Sequence, residues 1–131
     1  MSVGVMPVLS SDDCAPIDVI LARDSIVQPD LVFVAASRES IVTERAIEGP
    51  PELAVEILSP WSDRRDRVAK AEPYARYGIR HYWIVDPVAW TLELYEAEGA
   101  EYRLVATHDG TTRVQTALFP DLEIDLGRVW V

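Results

Sequence analysis

One carboxylate, Glu56, stands inside the short apolar run 52–58, which Gly49-Pro50-Pro51 closes on one side and Ser59-Pro60 on the other. A run of that length between breakers predicts a strand. Alternation along it sends Leu53, Val55 and Ile57 to one face and Ala54, Glu56 and Leu58 to the other. Both faces read as buried. An ionised carboxylate there costs several kcal/mol unless it is paired, hydrogen-bonded or bound to a metal. A second acid, Asp30, follows Pro29 and precedes the apolar run 31–36. It falls at the mouth of another strand, where an aspartate serves as a turn cap or as a metal ligand.

Basic residues crowd the stretch that follows Glu56. Six of the twelve Lys and Arg residues (Arg64, Arg65, Arg67, Lys70, Arg76 and Arg80) lie between positions 64 and 80. Such a cluster is either a local anion-binding face or a solvated helix face balanced by Asp63, Asp66 and Glu72. Asp66 stands four residues before Lys70, the spacing of an ordinary helix ion pair. Other chemistries find less support. His81 and His108 are the only histidines, and Cys14 is the only cysteine. No Cys/His spacing suggests zinc, nothing around Ser59 resembles a nucleophile elbow, and a hydrolase triad is not expected. His81 reads as a strand-end surface residue, and Trp83, Trp90 and Tyr95 as core or dimer-interface aromatics.

The elements that must position the two acids can be taken in chain order. Residues 1–14 lack a sustained period and read as a loose arm; ordered structure is expected from 15 to 131 as a single domain. Strands are expected at 17–22 and 31–36, and a polar stretch at 37–49 has room for a helical turn. After the central strand, Ser62 can cap a helix over about 63–77 that stops at Gly78. Asp63, Asp66 or Arg67, Lys70, Tyr74 and Tyr77 share one side of it, and Val68, Ala71 and Ala75 share another. Pro73 predicts a bend or a weakened turn near Ala69. Strands at 80–86, 90–96, 101–106 and 112–117, separated by Asp86-Pro87, Glu98-Gly99 and Asp109-Gly110, make the second half read as antiparallel.

Composition narrows the setting. The 131 residues are 49% hydrophobic with a net charge of −10. That charge argues against a general nucleic-acid coat protein, whose affinity comes from neutralising phosphates, but leaves room for a local basic site. A lone cysteine points to a reducing compartment, and no apolar run approaches the ~20 residues that span a bilayer. No signal-peptide pattern opens the chain. The expected location is cytoplasmic.

Taken together, VQPDLVFV, PPELAVEILSP, DRRDRVAK, YARYGIRHYWIVDP and TLELY resemble the Uma2 family of restriction endonuclease-like proteins, also called DUF820. The order of acid, acid and lysine resembles a PD-(D/E)xK nuclease site. The resemblance runs from about Ala15 to the C-terminus and implies an α/β (α+β) fold, a mixed sheet flanked by helices with the acids clustered at one edge of the central strands. It also implies a Mg²⁺-dependent endodeoxyribonuclease, a hydrolase of DNA phosphodiester bonds. On the matching positions, Asp30, Glu56 and the Ile57 backbone carbonyl would bind Mg²⁺ or Mn²⁺ through hard oxygen ligands. Lys70 would orient the attacking water or neutralise the transition state, while Arg67 and Tyr74 would contact phosphate or support the site. The cation would also account for the buried charge of Glu56.

Two departures from the family pattern matter. The position two residues after Glu56 is Leu58, so the lysine role passes to Lys70 on the following helix. Family members also ordinarily carry a helix-containing segment with a further glutamate before the part corresponding to Ala15. Its lack implies an N-terminally shortened form whose uncovered core a second subunit would cover, hence a homodimer. The competing expectation is a non-catalytic binding or assembly module that keeps the truncated nuclease fold.

Overall fold

The computed structural model describes the main chain of residues 5–8 and residues 18–61, 67–69 and 71–130. Its centre is a six-stranded sheet ordered β1-β4-β6-β7-β8-β9. These are β1 (Val5–Val8), β4 (Leu31–Ala35), β6 (Leu53–Ile57), β7 (His81–Asp86), β8 (Thr91–Glu98) and β9 (Glu101–Asp109). Only β6 and β7 are parallel; every other pairing in this sheet is antiparallel. The predicted central strand is therefore central in fact. The first four residues of β6 are buried in unbroken succession, as expected of a strand covered on both faces.

Different layers cover those faces. On one side lie α1 (Glu72–Arg76) and a small sheet of β3 (Ser25–Val27), β2 (Val19–Ala22) and β5 (Ile47–Glu48). Val19, Ile47, Ala54, Tyr74, Tyr82 and Ile84 meet in their shared core. On the other side the hairpin β10 (Arg113–Thr116) and β11 (Phe119–Asp125) packs over Leu53, Val55, Trp83 and Leu92. The mixed sheet is as expected, but the second layer is a hairpin closed by a 3₁₀ turn at Leu126–Arg128. Among the described residues, no helix is long and apolar enough to cross a membrane.

Several local expectations are revised. Val5–Val8, within the stretch expected as a loose arm, pairs antiparallel with β4 and places Pro7 at the sheet edge, where a missing donor is tolerated. Ser25–Val27 turns back on β2 as an extra strand. The polar stretch after β4 does contain a helical turn, a 3₁₀ segment at Ala36–Ile41. The largest difference is the helix expected over 63–77. Positions 62–66 and 70 lie outside the described residues, as does Cys14. In the remainder, 67–69 are helical and α1 begins only at Glu72, with Pro73 in its first turn. Proline lacks an N–H and its ring clashes with the carbonyl four residues back, here Ala69. The predicted weak point is thus a break.

The predicted stop at Gly78 holds, and its mechanism is visible. Gly78 has φ +104, its N–H bonds the Ala75 carbonyl at 3.2 Å and the Ile79 N–H bonds the Tyr74 carbonyl at 2.9 Å. This is a Schellman cap, which a glycine in left-handed conformation closes at least cost.

Candidate active site

Strand direction brings three segments to one end of the central sheet. β6 and β7 both finish there, and β4, antiparallel to β6, starts there. Asp30 immediately precedes β4, so its carboxylate meets the end of β6: Oδ2 accepts the Ile57 N–H at 2.7 Å. One strand residue back, Glu56 points to the opposite face and is 3% exposed. The Asp30 carboxylate, held next to it along the strand, adds to the effect of burial a smaller upward push on the pKa of Glu56. Asp30 and Glu56 therefore stand at the same end of β6.

Two donors reach Glu56 from the segment that returns over this face. The Tyr74 hydroxyl donates to Oε1 at 2.8 Å, and Arg67 Nη1 donates to Oε2 at 3.1 Å. Positions 67 and 74 are seven apart, two helical turns, so the proline break leaves both side chains on the strand side. Tyr82 steadies the pair. Its hydroxyl donates to the Arg67 carbonyl at 3.4 Å, its ring meets Tyr74 edge-on at 5.7 Å, and it stacks on Tyr102 at 5.2 Å. Tyr102 is itself anchored by donating to the Ile79 carbonyl at 2.6 Å.

Electrostatics at Glu56 are set first by burial. Desolvation drives its pKa from 4.5 up to about 7; the Tyr74 hydrogen bond and the Arg67 charge act against this, and Asp30 acts with it. Burial and the adjacent carboxylate push the Tyr74 hydroxyl far above its ordinary value. Tyr74 thus stays protonated and remains a donor at neutral pH.

The sequence places Arg67 and Tyr74 at the site as phosphate contacts or supports, and the described contacts are those of supports. They also revise the account of the buried charge: a guanidinium and a hydroxyl meet Glu56 within the protein itself. Lys70 lies outside the described residues. His81 opens β7 and is partly buried beside Glu96, with its pKa lowered mainly by burial. Trp83 and Tyr95 are buried core residues. Glu93 was not anticipated. It is buried on the same face, directly across from Ile84, which itself lies directly across from Glu56. Tyr95 donates to it at 3.3 Å. The alternation in TLELY, with Leu92 and Leu94 facing the hairpin, carried that signal.

The donor set suits a hard divalent cation in part. Two carboxylates and a strand-end carbonyl are oxygen ligands of the kind Mg²⁺ and Mn²⁺ take. Each Glu56 oxygen accepts one described bond, and a carboxylate can accept about four in all, so capacity remains. Among the described residues, however, no three His, Cys, Asp or Glu side chains gather in one place. The acids at this strand end are, among the described residues, a pair.

Comparison with known proteins agrees with this architecture. The chain is similar in structure to a "putative nuclease belonging to DUF820" from Anabaena variabilis, with a TM-score of 0.68 and 17% sequence identity over 96% of this chain and 68% of that one. At that identity the likeness is one of fold. No curated protein matches the chain. The family model described as "Putative restriction endonuclease" matches residues 11–127, nearly the whole sequence, and the chain belongs to that family, Uma2.

Proposed function

We propose that this protein is a metal-dependent endonuclease that hydrolyses DNA phosphodiester bonds at the end of β6. The observation that carries the reading is the placing of Asp30 on the Ile57 N–H, one residue from the buried Glu56; burial there raises the Glu56 pKa to about 7. A carboxylate poised there is suited to take up a cation and release a proton as it does so. The Ile57 N–H orients Asp30, Tyr74 and Arg67 fix the two oxygens of Glu56, and the aromatic cluster behind them keeps water from that side. Asp30, Glu56 and the Ile57 carbonyl would hold Mg²⁺ or Mn²⁺. Such an ion, when bound, supplies an acidified water and charge stabilisation at the phosphate. Lys70 is assigned the orientation of the attacking water. A cytoplasmic homodimer completes the proposal; exposed Leu104 and Val105 on the edge strand β9 support self-association.

A second reading, a non-catalytic binding module, is favoured by one observation: Glu56 already has internal partners and needs no metal to be satisfied. Nicking of supercoiled plasmid separates the two. The nuclease is expected to cut with Mg²⁺ or Mn²⁺ and Glu56→Ala to lose all metal-dependent cleavage. Undiminished cutting by that variant would remove Glu56 from the site, and absence of cutting by the folded native chain favours the module.

A further inference from the structure

We propose that Arg67 is an exchangeable counter-ion: its guanidinium neutralises Glu56 until a divalent cation binds at that carboxylate and displaces it. The inference rests on the metal site of the reading above and not on cleavage.

The two donors to Glu56 are held in different ways. Tyr74 is buried, meets Tyr82 edge-on and belongs to α1, whose end the Gly78 cap fixes. It is a neutral donor and can stay in place when positive charge arrives at the carboxylate. Arg67 lies before the break that precedes α1, and its side chain is 33% exposed against 4% for Glu56. Its main chain is fixed, because the Arg67 carbonyl accepts the Ala71 N–H at 3.0 Å and the Tyr82 hydroxyl at 3.4 Å. Its head group is held at one point. Among the described residues, the bond from Nη1 to Glu56 Oε2 at 3.1 Å is the guanidinium's one hydrogen bond. The side chain can therefore swing without disturbing the backbone that carries it.

A one-point contact is the weaker way for an arginine to hold a carboxylate. The guanidinium carries five N–H donors in a planar fork, and its strong pairs set two parallel bonds on the two oxygens. Here the Tyr74 hydroxyl donates to Oε1 at 2.8 Å and Arg67 meets Oε2 alone. The rest of the fork is unused among the described residues.

Charge, rather than room, makes the contact exchangeable. Acceptor capacity remains on Glu56 beyond its two described bonds, so counting lone pairs does not oppose a cation. Counting charges does. Asp30 and Glu56 together carry two negative charges at this strand end, which balance one divalent cation with no remainder. With Arg67 still in place, three positive charges would face two negative ones around a buried carboxylate, where repulsion is poorly screened. The guanidinium is the surplus charge, and its exposure and single bond make it the group that yields.

The test measures cation binding apart from cleavage. Mg²⁺ is titrated calorimetrically at about pH 9 into the native chain, Arg67→Met, Arg67→Gln, Glu56→Gln and the double variant Arg67→Met with Glu56→Gln. That pH lies well above the Glu56 value of about 7, so the carboxylate competes for Mg²⁺ in its ionised form. Removing the guanidinium is expected to tighten Mg²⁺ binding roughly ten- to hundredfold. The gain should be similar in Arg67→Gln, which keeps a donor but not the charge, and should vanish in the double variant. A residue that merely supports Glu56 predicts the reverse, a weaker site once it is removed. If loss of the ion pair unfolds the Arg67 variants, the native chain decides: in carbon-detected NMR spectra Mg²⁺ should move the Arg67 guanidinium signal to the position of a solvated arginine. Unchanged or weaker affinity in folded variants, a gain that persists in the double variant, a guanidinium signal unmoved by Mg²⁺, or no Mg²⁺ binding by any chain overturns the inference. Plasmid nicking run in parallel keeps the two proposals apart. Nicking with unchanged affinity in Arg67→Met leaves the nuclease without the exchange, and tightened binding without nicking leaves the exchange without the nuclease.

Discussion

The two faces of β6 differ by one residue step and by almost everything else. Leu53 and Val55 face the hairpin across an apolar cleft of about 330 Å³, lined by side chains such as Phe33, Trp83 and Phe119. Ala54 and Glu56 face the segment that returns through Arg67 and Tyr74. Strand alternation alone separates them. A carboxylate is tolerated on one face because the covering layer brings a hydroxyl, a guanidinium and a cluster of tyrosines, and the other layer brings aliphatic and aromatic carbon. Burial is shared by both faces; the difference lies in what each covering layer donates.

Moving the acid one residue along the strand breaks the comparison most directly. Val55→Glu puts a carboxylate among apolar partners and is expected to cost roughly 3–5 kcal/mol or to prevent folding. Urea unfolding measures the loss, and a variant as stable as the native chain would show that the two faces do not differ as described.

Changing pH probes the polar face without altering its shape. The folded-state pKa of Glu56, about 7, lies above the value of 4.5 expected without burial. The neutral carboxyl therefore favours the folded chain. That contribution is complete below pH 4.5, falls as pH rises, and is lost above about 7. At about 1.4 kcal/mol per pKa unit it amounts to roughly 3 kcal/mol. The stability of the native chain minus that of Glu56→Gln should fall by this amount between pH 4.5 and 7.5. Mg²⁺ should restore part of it at pH 7.5 in the native chain alone. A flat difference across this range contradicts a desolvated Glu56.

The smallest effect sharpens the role of a single donor. Tyr74→Phe removes one hydrogen bond to Glu56 and should cost about 1–2 kcal/mol at pH 8, where the acceptor is ionised. A smaller loss is expected at pH 5, and the Glu56 pKa should rise further because that bond lowers it. Equal losses at both pH values would mean that Tyr74 serves packing alone.

Much of this site was legible because its signals are local. Breakers at both ends of 52–58, one acid inside an apolar run, Pro29-Asp30 at a strand mouth and Gly78 past a helical stretch each follow from one residue's own constraints. What escaped depended on long-range pairing. β1 carries Pro7 and becomes a strand only because β4 offers an edge. Trp90 reads as the first residue of β8 by type, whereas its left-handed turn is held by Asp86 and Gly110. The interruption at Ala71 before α1 goes beyond the weakened turn that Pro73 predicts, because the proline both lacks a donor and crowds the preceding turn. Arg67 could be placed beside the acids, but its choice of Glu56 over solvent or phosphate depends on how the broken helix lies across the strand.

The Schellman cap at Gly78 ties the geometry of this site to its far end. A Cβ added there would stand 3.5 Å from the Pro50 ring, in the breaker that precedes β6. The end of α1 and the beginning of β6 are thus referenced to one point, and the 2.8 Å bond between Tyr74 and Glu56 spans the gap between two elements measured from it. That distance is ordinary contact, so what opposes a side chain at position 78 is the φ of +104; a residue that relaxes this conformation would move the helix end, and the Tyr74 bond would carry the change to the acidity of Glu56 although no atom near the carboxylate has been altered.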